Sequence, residues 1–191
     1  MKDLIQIKIA ETDAEREAAY RLRYEVFGLE EGDHRYSDHE RKFWIDQDDG
    51  PNSTVLVALN QEGRCVGTTR FTMLRDQHFI ALDAYHFDVL APRFNLSLSQ
   101  LTEVIGRWDR GAVERQCRGG GLFQRLEEEL VACARLQGCQ IIVVVVETGN
   151  AAMLHIVQKA GYLSTSVVGH YQGFTGYVIC KDLREYQPEI D

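Results

Sequence analysis

The sequence predicts an α/β fold in which a mixed β-sheet carries helices on both faces. Near the N-terminus, "LIQIKIA" alternates apolar and polar residues, as half-buried strands do. The run "IIVVVV" is apolar without alternation, which is typical of a strand covered on both faces. Segments with helical periodicity separate the predicted strands. A chain of 191 residues suffices for one domain with a substantial core, so we expect a single domain over residues 1–191.

The first half of the chain is predicted as strand, helix, long loop and hairpin. Thr12 and Glu15 have the spacing of a capping box, which opens a helix that should end near Gly28. Residues 30–51 are polar and rich in acidic side chains, so we expect a long irregular loop with a short helix around "DHERKFW". "STVLVALNQEGRCVGTTRFTML" then predicts two strands around a turn at "NQEG".

The second half is predicted to alternate helices and strands before a closing hairpin. "DAYHFDVLAPRF" is expected to form a short helix and "LTEVIGRWDR" a strand. Leu122, Leu126 and Leu130 then place one apolar face on a long helix. "NAAMLHIVQKAGY" predicts a helix that begins at Asn150 and ends at Gly161, and the last strands should form a hairpin over "HYQGF".

Composition argues against several classes of protein. The formal net charge of −8 disfavours binding to nucleic acid. The five cysteines have no C-x-x-C spacing, which favours reduced core thiols, and the six histidines lack metal-ligand spacing, so we expect no metal. The N-terminus lacks the pattern of a signal peptide, and the longest apolar run is too short to span a bilayer. We therefore expect a cytoplasmic protein that does not engage membranes.

A glycine run stands where the long helix should begin. It consists of Gly119, Gly120 and Gly121, and with Gln116 it has the form Q-x-x-G-x-G. Free N–H groups and the positive end of the dipole make a helix N-terminus a site for phosphate, and Arg115 and Arg118 add positive charge. A pyrophosphate is a suitable ligand. The alternative is a flexible loop before an ordinary helix.

Two motifs in the correct order resemble those of the GNAT (GCN5-related) N-acyltransferases. The first is Q-x-x-G-x-G; the second is "ETGNAAMLHIVQKAGY", similar to the family's N-x-x-A-x-x-x-Y-x-x-x-G-F helix. The resemblance covers residues 103–180. It implies the GNAT fold with a splayed central sheet whose cleft holds a pantetheine arm, pyrophosphate on the glycine loop, and Asn150 beside the cofactor. Asn150 is equally suited to be a helix N-cap. Val157 replaces the tyrosine that protonates the leaving thiolate, and Tyr162 replaces the phenylalanine.

The first half of the chain resembles the acyl-homoserine-lactone synthases and the long-chain N-acyl amino acid synthases. The residues that carry this resemblance, and which it implies as substrate-binding or catalytic, are Arg23, Phe27, Asp46, Asp49, Arg70, Glu103 and Arg107. Glu103 and Arg107 are one residue further apart than in those families. Each residue also has an ordinary structural explanation: Arg23 and Phe27 fit a helix surface and a core, and the aspartates fit a solvated loop. A buried Arg70 would need Asp46, Asp49 or Glu103 as partner.

The expected chemistry is attack of an amine on an acyl thioester. The amine arrives protonated, so a base must remove a proton; Glu103 is the first candidate and Glu147 the second. Arg70 or Arg107 would bind a carboxylate of the acceptor. A backbone N–H among Trp108, Asp109 and Arg110 would stabilise the oxyanion.

Three functions remain open at this point. The first is an N-acyltransferase that uses acetyl-CoA, longer acyl-CoA or acyl carrier protein as donor and a primary amine, such as that of an amino acid, as acceptor. The second is an autoinducer-type synthase that uses acyl carrier protein and S-adenosylmethionine. The third is a degenerate module that binds acyl-CoA without turnover. An exposed strand edge and the closing hairpin are compatible with a homodimer.

Overall fold

The computed structural model describes residues 4–76, 85–171 and 174–184. The first two residues of the predicted segment "DAYHFDVLAPRF" lie outside these ranges. The centre of the predicted hairpin turn "HYQGF" lies outside them as well. The chain divides into two compact units. The first unit comprises residues 1–71 and 109–132, and the second comprises residues 72–108 and 133–191.

The first unit is built from strands β1 to β5, the second part of β6 and the first part of α4. The elements are β1 (Gln6–Ile9), α1 (Asp13–Arg23), a π-helical segment (Tyr24–Glu30), β2 (Ser37–Asp38), β3 (Phe43–Trp44), β4 (Thr54–Leu59), β5 (Cys65–Met73), β6 (Ile105–Val113) and α4 (Leu122–Leu136). The sheet order in this unit is β1-β4-β5-β6. β4 is antiparallel to both β1 and β5.

The capping box at the start of α1 is confirmed, because the Thr12 hydroxyl accepts from the Glu15 N–H and Glu15 accepts from the Thr12 N–H. The apolar face of the helix packs through Ala19 and Leu22 onto Val55 and Val57 of β4. The helical segment runs two residues beyond the predicted end at Gly28, because it continues as a π-helix to Glu30.

The predicted helix around "DHERKFW" is wrong. This segment holds the two-stranded sheet β2–β3, in which Ser37 pairs with Trp44 and Asp38 with Phe43. Phe43 and Trp44 are only 2% and 1% exposed, so a segment with acidic composition still contributes to the core. The helical prediction failed because the aromatic pair is buried by tertiary contacts, which composition does not encode.

The second unit contains the first part of β6 and the C-terminal elements. Besides β6, its elements are a 3₁₀ turn (Leu74–Asp76), α2 (Phe87–Arg93), α3 (Leu98–Val104), β7 (Ile141–Glu147), α5 (Ala151–Lys159), β8 (Leu163–Tyr171) and β9 (Phe174–Asp182). The sheet order is β6-β7-β9-β8. β6 and β7 are parallel, and β9 is antiparallel to both β7 and β8. The mixed sheet flanked by helices confirms the predicted fold class.

The predicted strand "LTEVIGRWDR" is wrong in its first half. Leu98–Val104 forms helix α3, and the strand begins at Ile105. Ser97 caps this helix through the Gln100 N–H, and the Gln100 side chain caps the Ser97 N–H in return. The signal S-x-x-Q was present in the sequence, but the apolar residues after it favoured a longer strand.

The cysteines are thiols rather than disulfides. Cys65, Cys139 and Cys180 are buried, and burial raises the pKa of their thiols to about 11, 12 and 12. Cys117 and Cys133 are half-buried. Three of the five therefore lie in the core, as predicted.

The part of the chain that the structure describes contains neither a candidate membrane-spanning helix nor a candidate metal-binding cluster. None of their helices has both the length and the apolar character needed to cross a membrane. No group of three or more of their histidine, cysteine, aspartate and glutamate side chains could hold a metal ion.

Candidate active site

Arg70 lies at the centre of a buried ion network in the first unit. The strand that carries it, β5, is buried along its whole length. Arg70 Nε and Nη2 donate to the two carboxylate oxygens of Asp109, both at 2.8 Å. Nη1 and Nη2 donate to Asp46 at 2.6 and 3.1 Å, and Nη1 lies 2.9 Å from Asp49 Oδ1. All five N–H groups of the guanidinium therefore face carboxylate oxygens.

This geometry confirms that a buried Arg70 takes Asp46 and Asp49 as partners. Asp109, predicted only for its backbone near the cofactor, is a third partner through its side chain. Because carboxylates already face every N–H group of Arg70, no donor remains for a substrate in this arrangement. The participation of Arg70 in catalysis remains a prediction.

The charges of the network stabilise one another. Burial by itself raises the pKa of Asp46, but the charge and hydrogen bonds of Arg70, with the charge of Arg110, lower it to about 2. Burial acts to lower the pKa of Arg70, yet Asp109, Asp49 and Asp46 raise it well above its ordinary value. Asp46 and Arg70 therefore stay ionised at neutral pH.

Arg23, at the end of α1, binds the same acidic turn. Its Nη1 donates to Asp49 Oδ1 at 2.7 Å, and both side chains are fully buried. The turn closes on itself, since the Asp46 N–H donates to Asp49 and the Asp48 N–H donates to Asp46. Arg23 Nε and Nη2 are buried, with no hydrogen-bond partner in the described part of the chain. The D-x-x-D spacing therefore forms a turn held by arginines from α1 and β5.

Arg110, on β6, connects the ion network to an aromatic cluster. Its Nε donates to Asp46 Oδ2 at 2.8 Å. Its guanidinium lies over the rings of Trp44 and Tyr36, at 4.6 and 5.6 Å from their centroids. Phe27 packs edge-on against Trp44 at 5.1 Å. Arg110 has a φ of 56°, a left-handed conformation that a strand residue seldom adopts and that is often found at functional sites.

The glycine run forms an open loop directly before α4. Gly119 and Gly121 have φ of 77° and 80°, and at neither glycine does any atom lie within 4 Å of where a Cβ would be. A Cβ on Gly120 would meet only a backbone oxygen at 4.0 Å. Gly119 and Gly121 are therefore favoured by backbone conformation, since packing does not exclude a side chain at any of the three positions. Glu114, just before the loop, accepts two hydrogen bonds from Arg64 at 2.6 and 2.9 Å. These bonds hold the chain in place where the loop begins.

Two arginines and one glutamate surround this loop. Arg118 Nε donates to the backbone oxygen of Val113 at 2.8 Å, and its Nη2 lies 2.9 Å from Glu30 Oε2. Arg115 Nε lies 3.6 Å from the same oxygen, and its side chain is 77% exposed. Gln116 is exposed in the 3₁₀ turn between them. The predicted positive charge at the loop is present, and Glu30 partly compensates it.

In the second unit, Trp108 and Tyr162 form a buried aromatic pair. Their ring centroids are 5.3 Å apart, and each residue is 1% exposed. Lys181 Nζ lies 5.1 Å from the centroid of the Tyr162 ring. Val157, at the position where the family has tyrosine, is fully buried. Arg107, on β6, is also buried, at 2% exposure.

The two candidate bases lie at opposite ends of the parallel pair β6–β7. Glu103 is exposed in α3, before the amino end of β6, and its backbone oxygen accepts from Arg75. Glu147 is exposed at the carboxyl end of β7. Since Ile105 pairs with Ile141, and Glu147 follows Ile141 by six residues, the two carboxylates lie near positions about 20 Å apart along the strands. They cannot act at the same reacting atom.

Asn150 is the N-cap of α5, as predicted. Its side-chain oxygen accepts from the Met153 N–H at 2.9 Å, and its own N–H donates to the Glu147 carbonyl. The residue as a whole is exposed, and its side-chain oxygen caps the helix. The structure thus shows the capping role, and the cofactor role remains a prediction.

Sequence reasoning missed several residues that contact the ion network or the glycine loop. Trp44, Tyr36 and Glu30 were not singled out, and the contacts of the Arg110 side chain with Asp46 and Trp44 were not foreseen. The aromatic residues interleaved with charges in "HRYSDHERKFWIDQ" were the available signal. They were passed over because the segment as a whole is acidic and polar.

The fold and the site together define an acyltransferase of the GNAT class. Residues 16–162 match the sequence profile of the acetyltransferase (GNAT) family. This match spans well over half of the chain, and the protein therefore belongs to that family and is an acyltransferase. No curated protein matches the sequence significantly.

Three solved structures show the same fold. The CoA-dependent acyl-homoserine lactone synthase BjaI, solved with S-adenosylmethionine and isopentyl-CoA, is 20% identical, with a TM-score of 0.67, over 95% of this chain and 84% of its own. An N-acetyltransferase from Staphylococcus aureus Mu50 is 16% identical, with a TM-score of 0.63, over 94% and 99%. The yncA protein of Salmonella typhimurium, solved with its cofactor acetyl-CoA, is 17% identical, with a TM-score of 0.59, over 98% and 99%. Identities this low show the fold alone.

Proposed function

We propose that the protein transfers an acyl group from the pantetheine thioester of acyl-CoA to the primary amine of a small acceptor such as an amino acid. The observation that carries this proposal is the open glycine loop at the start of α4. Helix α4 is 15 residues long, so its N-terminal N–H groups and dipole favour an anion at this end. The glycines admit a ligand to the backbone, and Arg115 and Arg118 supply two cations.

The remaining donor contacts are proposed on the same grounds. Gln116 is exposed beside the loop, where its amide can reach a phosphate or ribose oxygen. Asn150 presents its amide N–H₂ while its oxygen caps α5, and this group would donate to a carbonyl of the pantetheine arm.

For the chemistry, Glu147 is a better candidate for the base than Glu103. It follows a buried strand at its carboxyl end, where ligands commonly bind in sheets with parallel strands, whereas Glu103 precedes the amino end of β6. The backbone N–H groups from Trp108 to Arg110 are proposed to hold the oxyanion, because β6 pairs with β7 only from Ile105 to Arg107. With Val157 buried and lacking a hydroxyl, the thiolate would take its proton from water or from the acceptor.

The ion network is proposed to shape the acceptor site. Phe27 packs onto Trp44, which is stacked with Arg110, and this assembly is fixed by Asp46. Arg23 has two buried nitrogen atoms that find no acceptor among the described residues, which supports a role in binding an oxygen of the acceptor substrate. Arg107 is the second proposed ligand of an acceptor carboxylate, because an arginine can bind such a group through two hydrogen bonds.

The test is CoA binding, measured by calorimetry, in two matched glycine variants. Gly121→Asp places a carboxylate in the loop, and Gly63→Asp places one in the β4–β5 turn. Both glycines have positive φ, of 80° and 76°, and open space around the Cβ position, so the strain is similar. We expect wild-type affinity in Gly63→Asp and a loss of more than about tenfold in Gly121→Asp, because the added carboxylate repels phosphate. Unchanged affinity in folded Gly121→Asp would overturn the assignment.

A second candidate function is an autoinducer-type synthase. The observation that favours it is the network of Arg23, Asp46, Asp49 and Arg70, which follows the pattern of residues that pointed to the lactone synthases. Incubation with S-adenosylmethionine and either octanoyl-CoA or octanoyl carrier protein should then release methylthioadenosine. Acylation of amino acids without this product would favour the first function.

The third candidate, a module that binds acyl-CoA without turnover, is favoured only by the buried Val157. Release of free CoA in the presence of an amine acceptor separates it from the two enzymes. CoA binding with no thiol release for any amine would support it.

A further inference from the structure

We propose that Glu30 acts as an acidic counter-ion that competes with the donor phosphate for the two arginines of the loop, so that this residue limits the affinity of the loop for its ligand. This inference rests on the proposed function, because it assumes that the glycine loop binds phosphate. Glu30 ends the π-helical segment that follows α1. It belongs to the same unit as the loop but to a different part of the sequence.

One oxygen of Glu30 contacts both arginines of the loop. Oε2 lies 2.9 Å from Arg118 Nη2 and 3.6 Å from Arg115 Nε. The Glu30 side chain is 26% exposed, and those of Arg118 and Arg115 are 43% and 77% exposed. A carboxylate in this position lowers the positive potential that would attract a phosphate. A phosphate that binds both guanidinium groups therefore competes with this carboxylate for their positive charge.

The alternative role, in which Glu30 positions Arg118 for the ligand, is the weaker effect. Arg118 is already held by the hydrogen bond from its Nε to the Val113 carbonyl at 2.8 Å. That bond does not depend on Glu30. Removal of the Glu30 charge should therefore free the arginines for the ligand and leave Arg118 anchored to the backbone.

The expected effect is small and specific. Exposed ion pairs change an equilibrium constant by up to about fivefold. We therefore expect Glu30→Gln to bind CoA about two- to fivefold more tightly than wild type, with the gain shrinking at high salt. Pantetheine, which has no phosphate, should bind the variant and the wild type equally. Inorganic pyrophosphate, used as a minimal probe of the loop, should show the same gain as CoA.

A matched control corrects for the change in net charge. Glu25 lies in the same π-helical segment and is exposed, and no ion pair involves it within the described part of the chain. Glu25→Gln makes the same chemical change at a different position. It should leave the affinity for CoA within the error of the measurement. Glu30→Ala should reproduce the gain of Glu30→Gln, since both variants remove the carboxylate.

The outcomes separate this inference from the proposed function. A gain in both Glu30 variants, absent in Glu25→Gln and with pantetheine, is the expected result. Equal CoA affinities in wild type and Glu30→Gln, or weaker binding in Glu30→Ala, would overturn the role of Glu30 but leave the phosphate site intact. If neither CoA nor pyrophosphate binds the wild type and the Glu30 variants, the phosphate site itself is refuted, and the inference with it.

Discussion

The substitution Asp46→Asn tests whether the buried ion network holds the first unit together. It preserves the shape of the side chain and removes one charge. In the folded protein, Asp46 accepts hydrogen bonds from Arg70 at 2.6 and 3.1 Å and from Arg110 at 2.8 Å. Asparagine has only one acceptor oxygen, and its N–H₂ group would face N–H donors of these guanidinium groups.

Two arguments give the expected loss of unfolding free energy in Asp46→Asn. The pKa of Asp46 is lowered from 3.8 to about 2, which corresponds to on the order of 2 kcal/mol of stability at neutral pH. Removing one partner of a buried ion pair leaves the other charge uncompensated and costs about 3–5 kcal/mol. We therefore expect Asp46→Asn to lower the free energy of unfolding by about 2–5 kcal/mol.

The assay is urea unfolding of wild type, Asp46→Asn and the control Asp48→Asn. Asp48 lies in the same turn, but it is 4.0 Å from Arg70 and its side chain is 19% exposed, so its substitution should cost under about 1 kcal/mol. The slope of the unfolding free energy against urea should be the same in all three, because the folded surface is unchanged.

The pH dependence gives a second readout. The pKa of Asp46 is lower in the folded than in the unfolded chain, so its contribution is complete above about pH 4 and is lost as the pH falls toward 2. The difference in the free energy of unfolding between wild type and Asp46→Asn should therefore decrease on acidification. Two results would contradict this account of the network. One is an equal loss of unfolding free energy in Asp46→Asn and Asp48→Asn, and the other is a difference between wild type and Asp46→Asn that does not change with pH.

Three further predictions concern packing, capping and thiol reactivity. Gly111→Ala should lower the free energy of unfolding by about 1–3 kcal/mol, because a Cβ there would lie 2.8 Å from the Phe123 ring; Phe123→Leu should restore part of the loss in a double-variant cycle. Asn150→Ala should cost about 1 kcal/mol in thermal unfolding through loss of the cap, and Asn150→Ser should not; weaker CoA binding in both would show that the amide also contacts the donor. With a thiol reagent at pH 8, the native protein should expose Cys117 and Cys133, and the urea-unfolded protein all five thiols; rapid reaction of all five in the native state would contradict the assigned burial.

Local sequence signals predicted most of the elements. The capping box at Thr12, the hairpin β4–β5, the buried strand β7 and the N-cap at Asn150 were all identified, because each depends on residues close together in the chain. The predictions failed at residues 38–44 and at α3. Residues 38–44 were missed because tertiary contacts bury Phe43 and Trp44, whereas α3 was missed although its capping signal is local.

What the sequence by itself determined is therefore the fold class, the family motifs and the glycine loop, since backbone conformation and helix N-termini follow from short stretches of chain. Tertiary structure alone decided which charges meet. Asp46, Arg70 and Asp109 come from three separate segments, and only the alignment of β5 with β6 and the folding of the acidic turn bring them within hydrogen-bond distance. The same holds for Glu30 and Arg118, whose separation of 2.9 Å spans almost ninety residues of sequence. Electrostatic interactions depend on distance and burial, which a linear sequence does not specify.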